Sequence, residues 1–147
     1  MTEPVRKRDG FTLIELLIVI TIMSVIVAIA LMIAGVQPRR AANEASAITT
    51  VRTILTAERV YSETRGHGSF GSLDELREAG VIDEVIASGS KSGYSFAVEA
   101  TGESFSVVAT PQSEQAGTRS FFADQTGVIR FAPGSGGAGP GDEPIGG

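Results

Sequence analysis

Residues 10–36 read GFTLIELLIVITIMSVIVAIALMIAGV, an apolar stretch in which Glu15 is the single charged side chain. Thr12, Thr21 and Ser24 are its other polar side chains. Because about 20 apolar residues suffice to cross a bilayer, this stretch predicts a transmembrane helix. A charged side chain costs roughly 2.5–3.5 kcal/mol at the centre of such a helix and less near its end. Glu15 therefore needs either a position close to the membrane surface or a partner of opposite charge.

Basic residues lie on both sides of the apolar stretch. Arg6, Lys7 and Arg8 precede it, and Arg39 and Arg40 follow it, so the charge balance favours a cytoplasmic N-terminus. A secretory signal peptide has an apolar core of only ~7–15 residues, which argues against that class of segment. Two interpretations remain. One is a plain signal anchor, and the other is a processed anchor in which the partner of Glu15 appears only after cleavage.

A short motif favours the processed anchor. A basic leader ends at Gly10 and is followed at once by FTLIELLIV, which places Phe11 first and Glu15 fifth after the glycine. This pattern resembles the class III signal of type IV pilins and of type II secretion pseudopilins, the N-methylphenylalanine family. The motif covers the leader and the apolar stretch, and the remainder of the chain is compatible with the family in a general way.

The resemblance implies a maturation route. A prepilin peptidase would cut between Gly10 and Phe11 on the cytoplasmic side and methylate the new amino group of Phe11. The prepilin would be a single-pass inner-membrane protein in contact with lipid. Assembly machinery of a pilus or a secretion system would then draw it into a homopolymer, either an extracellular pilus or a periplasmic pseudopilus.

The chemistry of each motif residue explains why that residue type suits its position. Gly10 has no side chain, so a protease can approach the backbone closely there. The basic residues Arg6–Arg8 hold the leader at an anionic membrane face, at about 1 kcal/mol per residue. Cleavage creates a positive amine on Phe11, one helical turn before Glu15. We therefore expect the Glu15 carboxylate of one subunit to form an assembly ion pair with the Phe11 amine of its neighbour.

The predicted fold class is α+β, with one long N-terminal α-helix packed on a small antiparallel β-sheet head, as in pilins. Gly35 and Pro38 are the predicted kink of that helix, because proline removes a backbone hydrogen bond and clashes one turn back. The predicted domains are the prepilin leader 1–10, the transmembrane and assembly helix 11–36, the amphipathic second half of the helix 37–64, the globular head 65–132, and a flexible Gly/Pro-rich tail 133–147.

Several local patterns predict secondary structure after the apolar stretch. Apolar residues recur at helical spacing from Ala47 to Tyr61, and Arg40 and Glu44 are spaced to pair on the solvent face of the helix. Ser72 and Glu75 in SLDE form a capping box that predicts a short helix. About four antiparallel strands are expected within residues 93–131, with their aromatic residues in the core.

Composition limits the chemistry. The chain of 147 residues has no cysteine and one histidine, so disulfides and cysteine-based metal sites are excluded, and neither a cofactor nor a metal is expected. Asp142 and Glu143 in the tail are a poor calcium site by themselves. The net charge of −5 argues against nucleic acid as a partner. Because no catalytic constellation is visible, we do not expect an enzyme.

The leading functional hypothesis is therefore a structural subunit of a type IV pilus. A type II secretion pseudopilin is the close alternative, because the same apolar helix and ion pair would assemble a shorter fibre in the periplasm. A minor, adhesive or DNA-uptake pilin is a binding module and forms a third possibility. The fourth is an anchored protein that does not polymerise.

Overall fold

The computed structural model describes residues 10–34 and 36–146. The chain divides into two compact units, Met1–Val36 and Gln37–Gly147, where the sequence changes from apolar to mixed composition. The apolar N-terminal helix together with an antiparallel sheet confirms the predicted α+β class.

The first unit contains helix α1, Leu13–Ala34. Its segment Leu13–Met32 is long and apolar enough to cross a membrane, and none of it is buried. Its side chains are mostly isoleucine, valine and leucine, which carry no polar groups that would need a hydrogen-bond partner. The described chain therefore leaves the apolar side chains from Leu13 to Met32 without protein cover.

The second unit, called the head below, contains three helices and one six-stranded sheet. The strand order is β1-β2-β3-β4-β5-β6, and every neighbouring pair is antiparallel. The sheet is thus a meander in which each strand pairs with the next along the chain. The elements are α2 Val36–Thr64, α3 Leu73–Glu78, α4 Glu84–Ala87, β1 Ser90–Lys91, β2 Tyr94–Thr101, β3 Ser104–Pro111, β4 Arg119–Asp124, β5 Arg130–Pro133 and β6 Glu143–Pro144.

One hydrophobic core joins α2 to the sheet. The helix contributes buried residues at helical spacing, which confirms the predicted amphipathic pattern. Alternate residues of β2 and β3 face the same core, since side chains of a strand alternate between its two faces. Four of the six predicted core aromatics are buried in this core, and Phe131 packs against it partly buried: Tyr94, Phe96, Phe105, Phe121 and Phe131. Phe122 is also buried but lies outside this cluster.

Helix starts in the head follow local capping chemistry. The predicted capping box is confirmed, because the Ser72 side chain accepts from the Glu75 N–H and the Glu75 carboxylate accepts from the Ser72 N–H at 2.7 Å. Helix α4 was not predicted. Its N-cap is Asp83, whose Oδ1 accepts from the Ile86 N–H at 2.8 Å. A single turn of four residues is too short to show apolar periodicity.

The predicted kink falls at the boundary between the two units. Gly35 lies outside the described residues. Pro38 is the third residue of α2, in the first helical turn, where its missing N–H has no partner to lose. A kink at Gly35 and Pro38 stays a prediction.

The structure corrects the expectation that residues 133–147 form a flexible tail, as far as residue 146. Pro133 belongs to β5, and Glu143 pairs with Phe131 through β6. Ala138 is buried, and Ile145 packs against the core. This arrangement could not be predicted from the low-complexity composition. Backbone hydrogen bonds help to hold the tail, and glycine can form them as well as other residues do.

The structure also corrects the predicted pair of Arg40 and Glu44, which is wrong. Glu44 is 7% exposed and faces the start of β4. Its carboxylate accepts from Arg119 Nε at 2.9 Å and Nη2 at 2.7 Å, and from the Thr118 N–H and hydroxyl at 2.9 and 3.0 Å. Nearby, Asn43 donates to the Ala116 carbonyl at 3.0 Å. Helix α2 is thereby tied to residues far along the chain, which helical spacing does not reveal.

Burial raises the pKa of Glu44, but the hydrogen bonds from Thr118 and Arg119 outweigh burial, so the pKa is lowered from its ordinary value of 4.5. The ionised form is therefore favoured by folding. This stabilising contribution is present above pH 4.5 and is lost as the pH falls through the lowered pKa.

We expect Arg119→Met to lower the free energy of unfolding of the head by about 1–3 kcal/mol, because a largely buried carboxylate loses its cation. The Arg119 side chain is 40% exposed, so water limits the loss. Urea titration of the full chain in mild detergent, followed by circular dichroism, measures it.

Arg77→Met is the matched control, since the carboxylate of its partner Glu84 is 80% exposed and their separation is 3.4 Å. It should change the free energy of unfolding by no more than about 0.5 kcal/mol. The deficit of Arg119→Met should also shrink below pH 4.5. Equal losses in the two variants would contradict a special role for the Glu44–Arg119 pair.

Candidate functional site

The residues of the predicted cleavage site lie just before α1. Gly10 and Phe11 are outside the helix, and Phe11 is 77% exposed. A Cβ atom built on Gly10 would meet no other atom within 4 Å. The described part of the chain therefore leaves open space for a side chain at this position.

Glu15 is the third residue of α1. Its backbone N–H donates to Thr12 Oγ1 at 3.3 Å, and the same hydroxyl donates to Glu15 Oε2 at 3.4 Å. Thr12 thus caps the helix, and its carbonyl accepts from the Leu16 N–H at 3.2 Å. A negative charge in the first turn is also favoured by the helix dipole.

Sequence reasoning missed the role of Thr12. The pattern T-L-I-E at residues 12–15 has the spacing of a capping box, the same signal that correctly predicted the start of α3. Both hydrogen bonds between Thr12 and Glu15 are weak, because their donor–acceptor distances of 3.4 and 3.3 Å are long. Within the described chain, the Glu15 carboxylate is exposed and is bonded only to this neighbouring hydroxyl.

The other hydroxyls of α1 are satisfied within the helix. Thr21 Oγ1 donates to the carbonyls of Leu17 and Ile18 at 3.0 and 2.8 Å, and Ser24 Oγ donates to the Thr21 carbonyl at 2.7 Å. These bonds let both hydroxyls enter an apolar environment at little cost. Of the polar side chains of α1, Glu15 is thus the one that has only a weak hydrogen bond within the described residues.

The structure brings three of the predicted site residues together. Gly10, Phe11 and Glu15 lie within six consecutive residues at the start of α1. The leader residues Arg6, Lys7 and Arg8 lie outside the described residues, as does Gly35. In the part of the chain that is described, no group of three or more His, Asp or Glu side chains is placed to hold a metal ion.

A family model described as the prokaryotic N-terminal methylation motif matches residues 5–31. This match covers the basic leader, the Gly10–Phe11 junction, Glu15 and most of α1. A search of curated proteins and a search of solved structures each found no match to this chain. The motif implies processing by a prepilin peptidase and assembly into filaments. The chain thus carries the class III signal of type IV pilins and pseudopilins, followed by an α+β fold consistent with that of pilins.

Proposed function

We propose that this chain is a structural subunit of a type IV pilus, processed at Gly10–Phe11 and polymerised through α1. The observation that carries the proposal is the uncovered apolar surface of α1. All large hydrophobic residues from Leu13 to Met32 are between 45% and 82% exposed. Such a helix is stable only in lipid or among other apolar helices.

A helix that is hydrophobic all round suits both environments in turn. As a prepilin, α1 would span the inner membrane, where lipid tails cover every side. In the filament, α1 helices of neighbouring copies would replace the lipid. Since each helix lacks a polar face, a copy can be surrounded by others without burying charges, except at Glu15.

Glu15 then sets the relation between adjacent copies. Cleavage would place a positive amine on Phe11, one turn before a carboxylate that has only a weak partner within its own chain. At an effective dielectric near 20, opposite charges 4 Å apart attract by about 4 kcal/mol. Much of this is offset by desolvation, so the pair would act mainly by fixing the axial position of one helix against the next.

The head provides the surface of the filament in this proposal. Its role is structural and not catalytic, and its acidic balance gives nucleic acid little attraction. The same features would serve a type II secretion pseudopilin, which is the alternative. The two differ in where the fibre is found, so the location of the mature chain separates them.

We expect Gly10→Val to block processing, because a branched side chain at the scissile bond would keep the peptidase from the backbone. The side chain at this position has open space in the chain itself, so folding should not change. Intact mass of the membrane-extracted protein checks this. The wild-type chain should lack residues 1–10 and carry one methyl group, whereas the variant should retain the leader.

Gly136→Val is the matched control, since a Cβ at Gly136 also meets nothing within 4 Å. That variant should be processed normally. The cleavage proposal fails if Gly10→Val is trimmed and methylated like the wild type, or if the wild-type chain still carries its leader.

We expect Glu15→Ala to insert into the membrane and to be processed, but to yield few or no filaments when it is the only copy expressed. Loss of the carboxylate removes the partner of the Phe11 amine on the next copy. Immunoblots of the sheared surface fraction measure this. Wild-type protein in that fraction supports a pilus, and wild-type protein confined to the periplasm supports a pseudopilus.

Thr12→Ala separates the two possible roles of Glu15. It removes the capping hydroxyl of α1 and keeps the charge, so filaments should still form. If Thr12→Ala and Glu15→Ala lose filaments equally, the carboxylate acts through the helix cap. Normal filament yield from Glu15→Ala alone would disprove the ion pair between subunits.

A further inference from the structure

Glu58 is an unusual residue within the head. It lies on α2 and is fully buried, with 0% of its surface exposed. Its Oε2 accepts one hydrogen bond, from the Gly71 N–H at 3.0 Å, and its buried Oε1 has no hydrogen-bond partner. Glutamate is almost never fully buried unless it is paired. Neither of the salt bridges within the described residues involves it.

The residue that binds Glu58 belongs to the segment that links α2 to α3, residues 65–72, called the cover segment below. Its Gly68 N–H donates to the Ser62 carbonyl at 2.9 Å, and its Phe70 N–H donates to the Gly102 carbonyl at 2.8 Å. A Cβ on Gly71 would come within 2.9 Å of the Tyr61 ring, so the backbone packs directly against α2. The N–H groups of Arg65 and Gly66 also donate to the Tyr61 carbonyl at 2.9 and 2.8 Å, so the first half of the segment is bonded to the last turn of α2. In the second half, residues 69–72, the hydrogen bond to the helix is the one between Gly71 and Glu58.

The ionised group that acts on Glu58 does not stabilise its negative form. Glu75 on α3 is the ionised group whose field reaches it, and that field disfavours a second negative charge. The basic groups closest in sequence are Arg52, Arg59 and Arg65, and all three are exposed to solvent, as is His67 in the cover segment. Burial, with the smaller effect of Glu75, raises the pKa of Glu58 from 4.5 to about 7 against the opposing effect of the Gly71 N–H.

We propose that Glu58 is a proton-controlled latch that holds the cover segment against α2 when it is protonated and releases it when it ionises. A neutral carboxyl group can stay buried with one hydrogen bond. A buried carboxylate with one donor and no cation is strongly disfavoured, and it gains water only if the cover segment moves away. Ionisation would therefore expose the last turns of α2, near Tyr61.

The direction of the pH effect follows from the raised pKa. The folded head holds a proton on Glu58 at a pH where the unfolded chain has lost it, so folding is favoured by low pH. This contribution is fully present below pH 4.5 and is lost as the pH rises to about 7. It is opposite in sign to that of Glu44, which is lost as the pH falls below 4.5.

Nuclear magnetic resonance of the isotope-labelled full chain in detergent micelles tests the latch. The Gly71 amide and the Glu58 carboxyl carbon should titrate together with a midpoint near pH 7. Over the same transition, hydrogen-exchange protection of the Phe70 and Gly71 amides should fall by about tenfold or more, after correction for intrinsic exchange rates. Amides in β3 should keep their protection.

Glu58→Gln should remove the titration and keep the cover segment protected at alkaline pH, since an amide cannot ionise. Glu63→Gln is the matched control, because it makes the same charge change on an exposed residue of the same helix and should behave like the wild type. The latch is overturned by a Glu58 midpoint below about pH 5, by protection that does not change with pH, or by the same loss in Glu58→Gln. If Glu58→Gln does not fold, the wild-type carboxyl titration and exchange still decide.

Discussion

The constraint on which this molecule depends is that the described part of the chain leaves the apolar surface of α1 uncovered from Leu13 to Met32. None of Leu13–Met32 is buried, and the helix has no polar side that could face water. Every other feature of the N-terminal region fits that constraint. The hydroxyls of Thr21 and Ser24 bond within the helix, and Glu15 lies in the first turn, where the helix dipole and the membrane surface lower its cost.

The head meets a different requirement, because it must be stable in water without disulfides. A meander sheet places strands that are adjacent in sequence side by side, which keeps the contacts local. Buried carboxyl groups add specific polar ties between α2 and the rest of the head. Glu44 connects α2 to β4 through Arg119 and Thr118, and Glu58 connects α2 to the cover segment through Gly71. The pKa values of these two carboxyl groups shift in opposite directions, because hydrogen bonds from Thr118 and Arg119 outweigh burial at Glu44, whereas burial dominates at Glu58.

Much of the fold could be predicted from local patterns. The apolar stretch, the Ser72–Glu75 capping box and the alternation in β2 and β3 each involve neighbouring residues, and all three were correct. The features that were missed depend on residues distant in sequence. Glu44 has the spacing of a surface ion pair with Arg40, but the fold brings Arg119 to it, 75 residues away. The glycine-rich tail lacks apolar periodicity, although its backbone completes the edge of the sheet.

The candidate site was predictable for a related reason. Gly10, Phe11 and Glu15 lie within six residues, so their spacing in sequence is also their arrangement in space. The capping role of Thr12 also depends on neighbouring residues and could have been predicted from T-L-I-E at residues 12–15. The neighbour that would complete the site is another copy, which neither one sequence nor one chain contains. The leader residues Arg6–Arg8 and the kink residue Gly35 remain predictions.

In the proposed assembled state, other copies of the chain cover α1. Because the chain has no cysteine, a single introduced thiol reports on one position only. The decisive measurement is labelling of Val19→Cys by a water-soluble maleimide in sheared, lipid-depleted fibres, compared with Ser95→Cys on the exposed face of β2. If copies cover α1, Ser95→Cys is labelled and Val19→Cys is protected until the fibres are denatured. Equal labelling at both positions, or absence of the processed chain from the fibres, would contradict it.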